Sequence, residues 1–354
     1  MRLTLPFFKS AFLTFALLSF GKLAFSQGDA IELIKAGKED ATKLTQAYLS
    51  PLFKGIGTGL NNAWYNSAKT KNLGRVDLRI QATGAFVSSA DRSFDVNAIG
   101  LTKFKAVGNP VTPTAFGKDE DGVLLRHQPD QIGGITPPPI EFTMPSGTGV
   151  HIVPTPQIQL TVGLVYDTEI SGRFTPKVNI SDFGTLSSWG IGVKKEITKL
   201  LPWKTEKIIP IDLAVALGYS QISYDYKVAL EDQVGSKTTD LNQRIESKFS
   251  GFSGDVIVSK KLAVFTPFAS IGYNSAKTDL GILGRYQIES RDQNTGTPTT
   301  EEIIDPVKIK QTDISGIRGS IGFGLHLAFF RLYGAYNIGE YQSVTAGIGF
   351  GIGK

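Results

Sequence analysis

Beyond residue 72, apolar residues recur at every second position. In "RVDLRIQATGAFV" Val76, Leu78, Ile80, Ala82 and Phe86 alternate with Asp77, Arg79, Gln81 and Thr83. In "QIQLTVGLVY" Ile158, Leu160, Val162, Leu164 and Tyr166 alternate with Gln157, Gln159, Thr161 and Gly163. "PIDLAVALGYS", "GIRGSIGFGLHLAFF" and "SVTAGIGFGIGK" repeat the rhythm, with Asp212, Arg318 and His326 on the non-apolar face. A period of two means strands, since successive side chains leave opposite sides of the sheet. The pattern predicts strands near 76–88, 95–107, 157–168, 187–196, 211–226, 245–258, 262–274, 317–329, 331–339 and 343–353. Further strands are expected within 140–153, 278–289 and 308–314.

These runs are about ten residues long, enough to cross a bilayer as a tilted strand. A soluble sandwich alternates too. Here, however, the apolar face never lapses into a charge over a full span, and the other face is small or polar, as a lumen requires. Tyr166, Tyr219, Tyr224, Tyr226, Phe329, Tyr333, Tyr336 and Tyr341 cluster near strand ends, where aromatic girdles form. The expected fold is all-β: a transmembrane antiparallel β-barrel of ten to fourteen strands. The connections 109–139, 229–245 and 290–307 are long and polar and read as extracellular loops. "KKEITKLLPWKTEK" reads as an amphipathic interfacial turn with Trp203 beside lysines.

Ahead of the strands the period is helical. Residues 29–49 place Ile31, Ile34, Ala41, Leu44 and Tyr48 near one face, with Asp29 as a cap and Pro51 as the stop. "PLFKGIGTGLNNAWYNSAK" follows, too Gly-rich for a good helix and too irregular for a strand. Between a helix and the first strand it is long enough to fold back into a lumen. Its glycines allow tight turns, and its amides satisfy backbone groups. Phe53, Asn61, Asn62, Trp64 and Tyr65 are the expected plug and ligand-contact residues. The expected organisation is a signal segment over 1–26, a helix and short helical, Gly-rich plug over 27–72, and a barrel over 73–354.

Composition sharpens this reading. Arg2 and Lys9, an apolar core over 11–20 and Ala24-Phe25-Ser26 form a secretory signal. The signal's basic residues account for most of the formal net charge of +5, so the rest of the chain is near neutral, which argues against nucleic acid as a partner. There is no cysteine, which excludes disulfide staples and thiolate chemistry. The three histidines, His127, His151 and His326, have no metal-ligand spacing. His326 and Ser320 share a strand face but lie six residues apart, about 20 Å, too far for a catalytic dyad. The acidic "FGKDEDG" lacks the glutamate that closes a calcium loop. Asp77, Arg79, Asp212, Arg318 and His326 are the expected polar lumen positions. Pairing among buried charges is favoured over a polar path.

"PLFKGIGTGLNNAWYNSAK", "TEISGRFTPKVNI", "WGIGVKKEITKLLPW" and "VTAGIGFGIG", in that order, resemble an uncharacterised, domain-of-unknown-function family of Bacteroidetes outer-membrane barrels. More distantly, a helix and Gly/Asn-rich segment ahead of a barrel is similar to the long-chain fatty acid transporter (FadL-type) barrels. The resemblance implies an outer-membrane location. It also implies passive uptake of a small hydrophobic molecule past an N-terminal plug. A structural or surface-interaction barrel is the alternative, and a lipid-modifying enzyme a third reading. The implied partners are outer-membrane lipid, a small hydrophobic ligand and, during biogenesis, the barrel-assembly machinery. No cofactor and no catalytic residue is expected.

Overall fold

The computed structural model describes residues 33–128, 138–179, 184–200, 211–227, 241–291, 298–327 and 330–352. The expected signal segment over 1–26, the Asp29 cap, most of the 229–245 loop, the interfacial turn beyond Leu200 and the chain end at Lys354 lie outside them.

Ten strands close into one antiparallel barrel. In chain order they are β1 (Val76–Phe86), β2 (Ile152–Leu164), β3 (Thr168–Asn179), β4 (Thr185–Glu196), β5 (Asp212–Lys227), β6 (Arg244–Ser259), β7 (Phe265–Leu283), β8 (Val307–Leu327), β9 (Phe330–Ile338) and β10 (Ser343–Ile352). Each pairs with its neighbours in sequence, and β1 pairs with β10 from Val76↔Ile352 to Ala85↔Ser343. Closure leaves no free edge among these strands.

Period two decides which side each residue faces. Along β1 Asp77, Arg79, Gln81, Thr83 and Ala85 are buried inward. The outward face carries exposed apolar side chains, among them Leu160, Phe174, Ile191, Leu217, Ile271 and Ile321. Inside runs the helix α1 (Gly37–Asn61), followed by an extended segment that leaves at the opposite end and turns at Leu73–Gly74 into β1. The helix therefore runs antiparallel to β1. One end of the barrel, here the lower, has short turns after β2, β6 and β8. The upper end carries the three longest connections, after β1, β5 and β7, while the lower end also carries the connection 197–211 after β4.

Three sequence expectations are corrected. First, Pro51 does not stop the helix. It lies within α1, which continues through "PLFKGIGTGLN" to Asn61. Gly and Pro are poor helix formers, but the walls confine this segment and the glycines make it fit. An added Cβ would overlap Val153 at Gly55, Ala276 at Gly57 and Thr155 at Gly59. Second, 95–107 is not a wall strand. It holds a 3-10 turn (Val96–Ile99) and a three-residue strand (Lys105–Val107) within a cap, built from the connection between β1 and β2. Third, 168–179 is a wall strand. Its outward face is interrupted by Gly172 and Pro176, which hid the alternation. The stretches 278–289 and 308–314 mostly extend β7 and β8 rather than adding wall strands, and 290–307 includes a strand (Pro298–Ile304) paired with Arg285–Arg291.

The cap sits on the upper end of α1. Leu33, Ile34, Leu44 and Tyr48 share one buried apolar cluster with Phe104, Phe116, Leu125, Phe142 and Met144. Tyr48 donates to Ser146 O at 2.7 Å. Asp40 accepts from the backbone of Thr102, Lys103 and Phe104 at 2.7, 2.9 and 3.2 Å and from the Thr102 hydroxyl at 2.9 Å. Burial pushes the Asp40 carboxyl up. These hydrogen bonds outweigh that push and hold it below its ordinary value of 3.8.

Candidate functional site

Below Asn61 the chain must leave the helix and pass through a narrow lumen. Ala63 takes a left-handed backbone conformation, φ 63°, which turns it sharply. The segment 62–72 forms no helix or strand, so its backbone groups need other partners. Wall side chains supply them.

Arg173 on β3 donates to Leu60 O at 2.9 Å, Asn62 O at 2.8 Å and Gln159 Oε1 at 3.0 Å. Arg79 and Gln159 both reach Trp64 O, at 2.8 and 3.0 Å. Gln81 donates to Ala63 O at 2.8 Å and Gln157 to Gly59 O at 2.6 Å. Lys194 Nζ bonds Ser67 O and Lys69 O at 2.7 and 3.0 Å. Glu196 accepts from the Thr70 backbone and hydroxyl, both at 3.1 Å. Ser259 Oγ accepts from Ala68 N at 2.9 Å.

The expected plug residues occupy one column. Phe53, fully buried, meets Phe249 with ring centroids 6.1 Å apart. Asn61 Nδ2 donates to Ser275 O at 3.0 Å and Asn62 Nδ2 to Ser343 Oγ at 3.0 Å. Trp64 and Tyr65 lie side by side, centroids 6.4 Å apart. They rest on two inward glycines. A Cβ on Gly218 would stand 2.5 Å from Trp64 Nε1, and one on Gly192 would stand 2.7 Å from Tyr65 Oη. The Arg173 guanidinium covers the Trp64 ring at 3.7 Å. Trp64 is therefore buried, covered on its face by Arg173 and closely approached by Gly218.

The expected lumen charges are mostly paired. Asp77 meets Arg331, and Arg79 Nε lies 3.6 Å from Asp77. Arg318 pairs with Asp255 at 2.6 Å and also donates to Asn62 Oδ1. Asp212 lies 3.7 Å from Lys69. Glu169 holds Lys194 at 3.0 Å and Lys71 at 3.7 Å. His326 sits half-buried near the lower end of β8, apart from the plug column, and its Nδ1 has no hydrogen-bond partner among the described residues. His127 and His151 lie in the cap region, each with Nδ1 against a backbone carbonyl. Among the described residues no group of three or more His, Asp or Glu is placed to hold a metal ion.

Sequence reasoning placed Gln159 on the non-apolar face without giving it a role, and passed over Arg173, Lys194, Glu169, Glu196, Asp255 and Arg331. All seven sit at inward positions, so the same alternation that found Asp77 and Arg79 locates them once each strand is phased.

Strands and plug together define the class: a closed ten-stranded antiparallel barrel filled by its own N-terminal helix and extended segment. The chain belongs to a family of unknown function, DUF6588, which matches residues 4–352. No curated protein matches it. Among solved structures, it is similar to Ail, the attachment invasion locus protein of Yersinia pestis, at 7% identity, covering 79% of this chain and 99% of that one, TM-score 0.26. The outer membrane protease OmpT of Escherichia coli gives 11% identity, 82% and 99% coverage and a TM-score of 0.30. The translocator domain of the autotransporter NalP of Neisseria meningitidis gives 8% identity, 90% and 99% coverage and 0.29. Likenesses this faint say nothing about activity.

Proposed function

We propose that this chain is an exported outer-membrane barrel whose lumen is corked by residues 33–72, and that it serves as a sealed anchor presenting its cap at the cell surface. The outward apolar side chains support the membrane reading, since water-facing patches of this extent mark contact with lipid or another apolar surface. Short turns belong to the periplasmic end of such barrels, so the turns after β2, β6 and β8 support a cap that faces outward.

The observation that carries the sealed state is the anchoring of the plug. Arg173, Arg79, Lys194 and three glutamines bond its carbonyls from several wall strands. Each bond to a charged donor contributes about 1.5–3 kcal/mol, so the cork is held at rest. Planar-bilayer recording tests this. The intact protein is expected to give no conductance steps and no liposome uptake of sugars or of small apolar dyes. Uptake of the apolar dye alone would overturn the sealed reading in favour of passive hydrophobic uptake gated by the plug. One feature favours that alternative: Trp64 Nε1 is buried with no hydrogen-bond partner among the described residues, so a passing molecule could engage it. We read the protein as non-catalytic, since its histidines lie apart.

A further inference from the structure

The outer wall is not uniformly covered by side chains. Between β4 and β7, Val193, Val215, Leu217, Val256 and Ile271 surround a groove of about 350 Å³. Gly254 leaves it open. This position faces outward between Phe252 and Val256, and it adds no side chain where its neighbours do. A Cβ there would approach Leu217 to 3.2 Å, so a larger residue would fill the space. The rim is apolar and exposed, with Leu217 at 52% and Ile271 at 61%.

The lower end of this groove is basic. Lys195, on the outward face one residue from the end of β4, lines it. Lys260 follows β6 directly, and the parity of Val256 and Val258 carries it outward; it is exposed and makes no ion pair among the described residues. Lys195 shares a row with Val215 and Val256, and Lys260 lies four residues further along β6, so their bases stand about 16 Å apart, two strand spacings across and four residues down. Each long side chain can lean toward a group between them. Among the described residues Lys195 Nζ bonds only a carbonyl, that of the exposed Tyr166. The nearby acid, Asp167, is already engaged by Lys199 at 2.8 Å.

We propose that this groove seats one anionic phospholipid of the periplasmic leaflet, with an acyl chain over Gly254 and the phosphate between Lys195 and Lys260. The inference rests on the membrane reading above. An acyl chain matches the groove's apolar walls. An anionic headgroup matches two cations placed where the short-turn end meets the leaflet surface. A neutral headgroup would leave this charge unused.

The test uses the full chain in vesicles of equal phosphatidylglycerol and phosphatidylcholine, read by native mass spectrometry of released protein. Wild type is expected to retain one phosphatidylglycerol in preference to phosphatidylcholine. The K195Q/K260Q variant should lose about fivefold of that preference per lysine. G254L should reduce retention of both lipids while leaving the barrel assembled. Flotation of every variant with vesicles reads membrane insertion separately. Wild type that fails to float sinks the membrane reading and the lipid seat with it. Wild type that floats but retains both lipids equally, or is unchanged by K195Q/K260Q, overturns the seat alone.

Discussion

The Arg173 guanidinium stands 3.7 Å from the ring centroid of Trp64, while two of its nitrogens bond the carbonyls of Leu60 and Asn62. One wall side chain thus clamps the end of the helix and the first aromatic of the extended segment together. Its charge sits on the face of the indole, where the ring's quadrupole is favourable, and its donors take carbonyls that the ended helix leaves unpaired.

Replacing Arg173 by Ala should therefore cost more than one hydrogen bond. It orphans buried acceptors on Leu60 and Asn62 and uncovers the Trp64 face. A loss of roughly 3 kcal/mol or more is expected, at about 1–3 kcal/mol for each unsatisfied group. Denaturant unfolding in detergent measures it. Arg173→Lys should recover only part, since an ammonium cannot reproduce the planar fork.

The two glycines beneath Trp64 make a second, steric prediction. Gly218→Leu must displace the indole, because its Cβ alone would lie 2.5 Å from Nε1. Overpacking of this kind costs about 1–3 kcal/mol. The plug is the part free to yield, because the wall strands are held by their ladders. Trypsin cleavage at Lys69 or Lys71 is expected in Gly218→Leu and absent in wild type. Gly172→Ala is the control. A Cβ there meets nothing within 4 Å, so both stability and protease resistance should stay unchanged.

The wall was far more legible in sequence than the plug. A strand with one lipid-like face writes its phase into every second residue, so β1, β5 and β10 could be read directly. β3 escaped because Gly172 and Pro176 fall on the outward face that carries the signal. The helix was misjudged at Pro51 for a different reason. Propensity describes a chain in water, whereas residues 51–61 fold against walls. There Gly55, Gly57 and Gly59 are chosen for their lack of a side chain beside Val153, Ala276 and Thr155. Inward glycines such as Gly192 and Gly218, weak choices for a soluble strand, answer to the same need for room. Which wall residue meets which plug carbonyl depends on strand order around the ring, and no local pattern encodes that.

Asp40 predicts an acid-sensitive cap. Its carboxylate gathers the Thr102, Lys103 and Phe104 amides, and its folded pKa lies below 3.8. A depressed carboxylate adds stability that is present above the ordinary value and is lost as pH falls through the folded one. Asp40→Asn should lower the unfolding free energy at pH 7 by about 2 kcal/mol for the loss of charged acceptors. The difference from wild type should shrink as pH drops below 3.8. A gap that is constant from pH 7 to pH 3 would mean that the carboxylate's charge does not hold the cap.

Asp255, Gly272 and Arg318 lie in one hydrogen-bonded row across β6, β7 and β8, Asp255↔Gly272 and Gly272↔Arg318. The missing side chain at Gly272 lets the Arg318 guanidinium cross its own neighbour to reach Asp255 at 2.6 Å, and a Cβ there would overlap Asp255 Oδ1. Arg318 also donates to Asn62 Oδ1, so this wall pair is tied to the plug. Asp255→Ala should leave a buried guanidinium uncompensated and destabilise by about 3–5 kcal/mol. Arg318→Met should cost less, because the remaining carboxyl can take a proton. The double variant should be milder than the sum of the two singles, since neither charge is then left alone. A double-mutant cycle measures this coupling. Additive losses would mean that the two side chains stabilise the barrel separately, and that Asn62 rather than Asp255 is the partner that matters to Arg318.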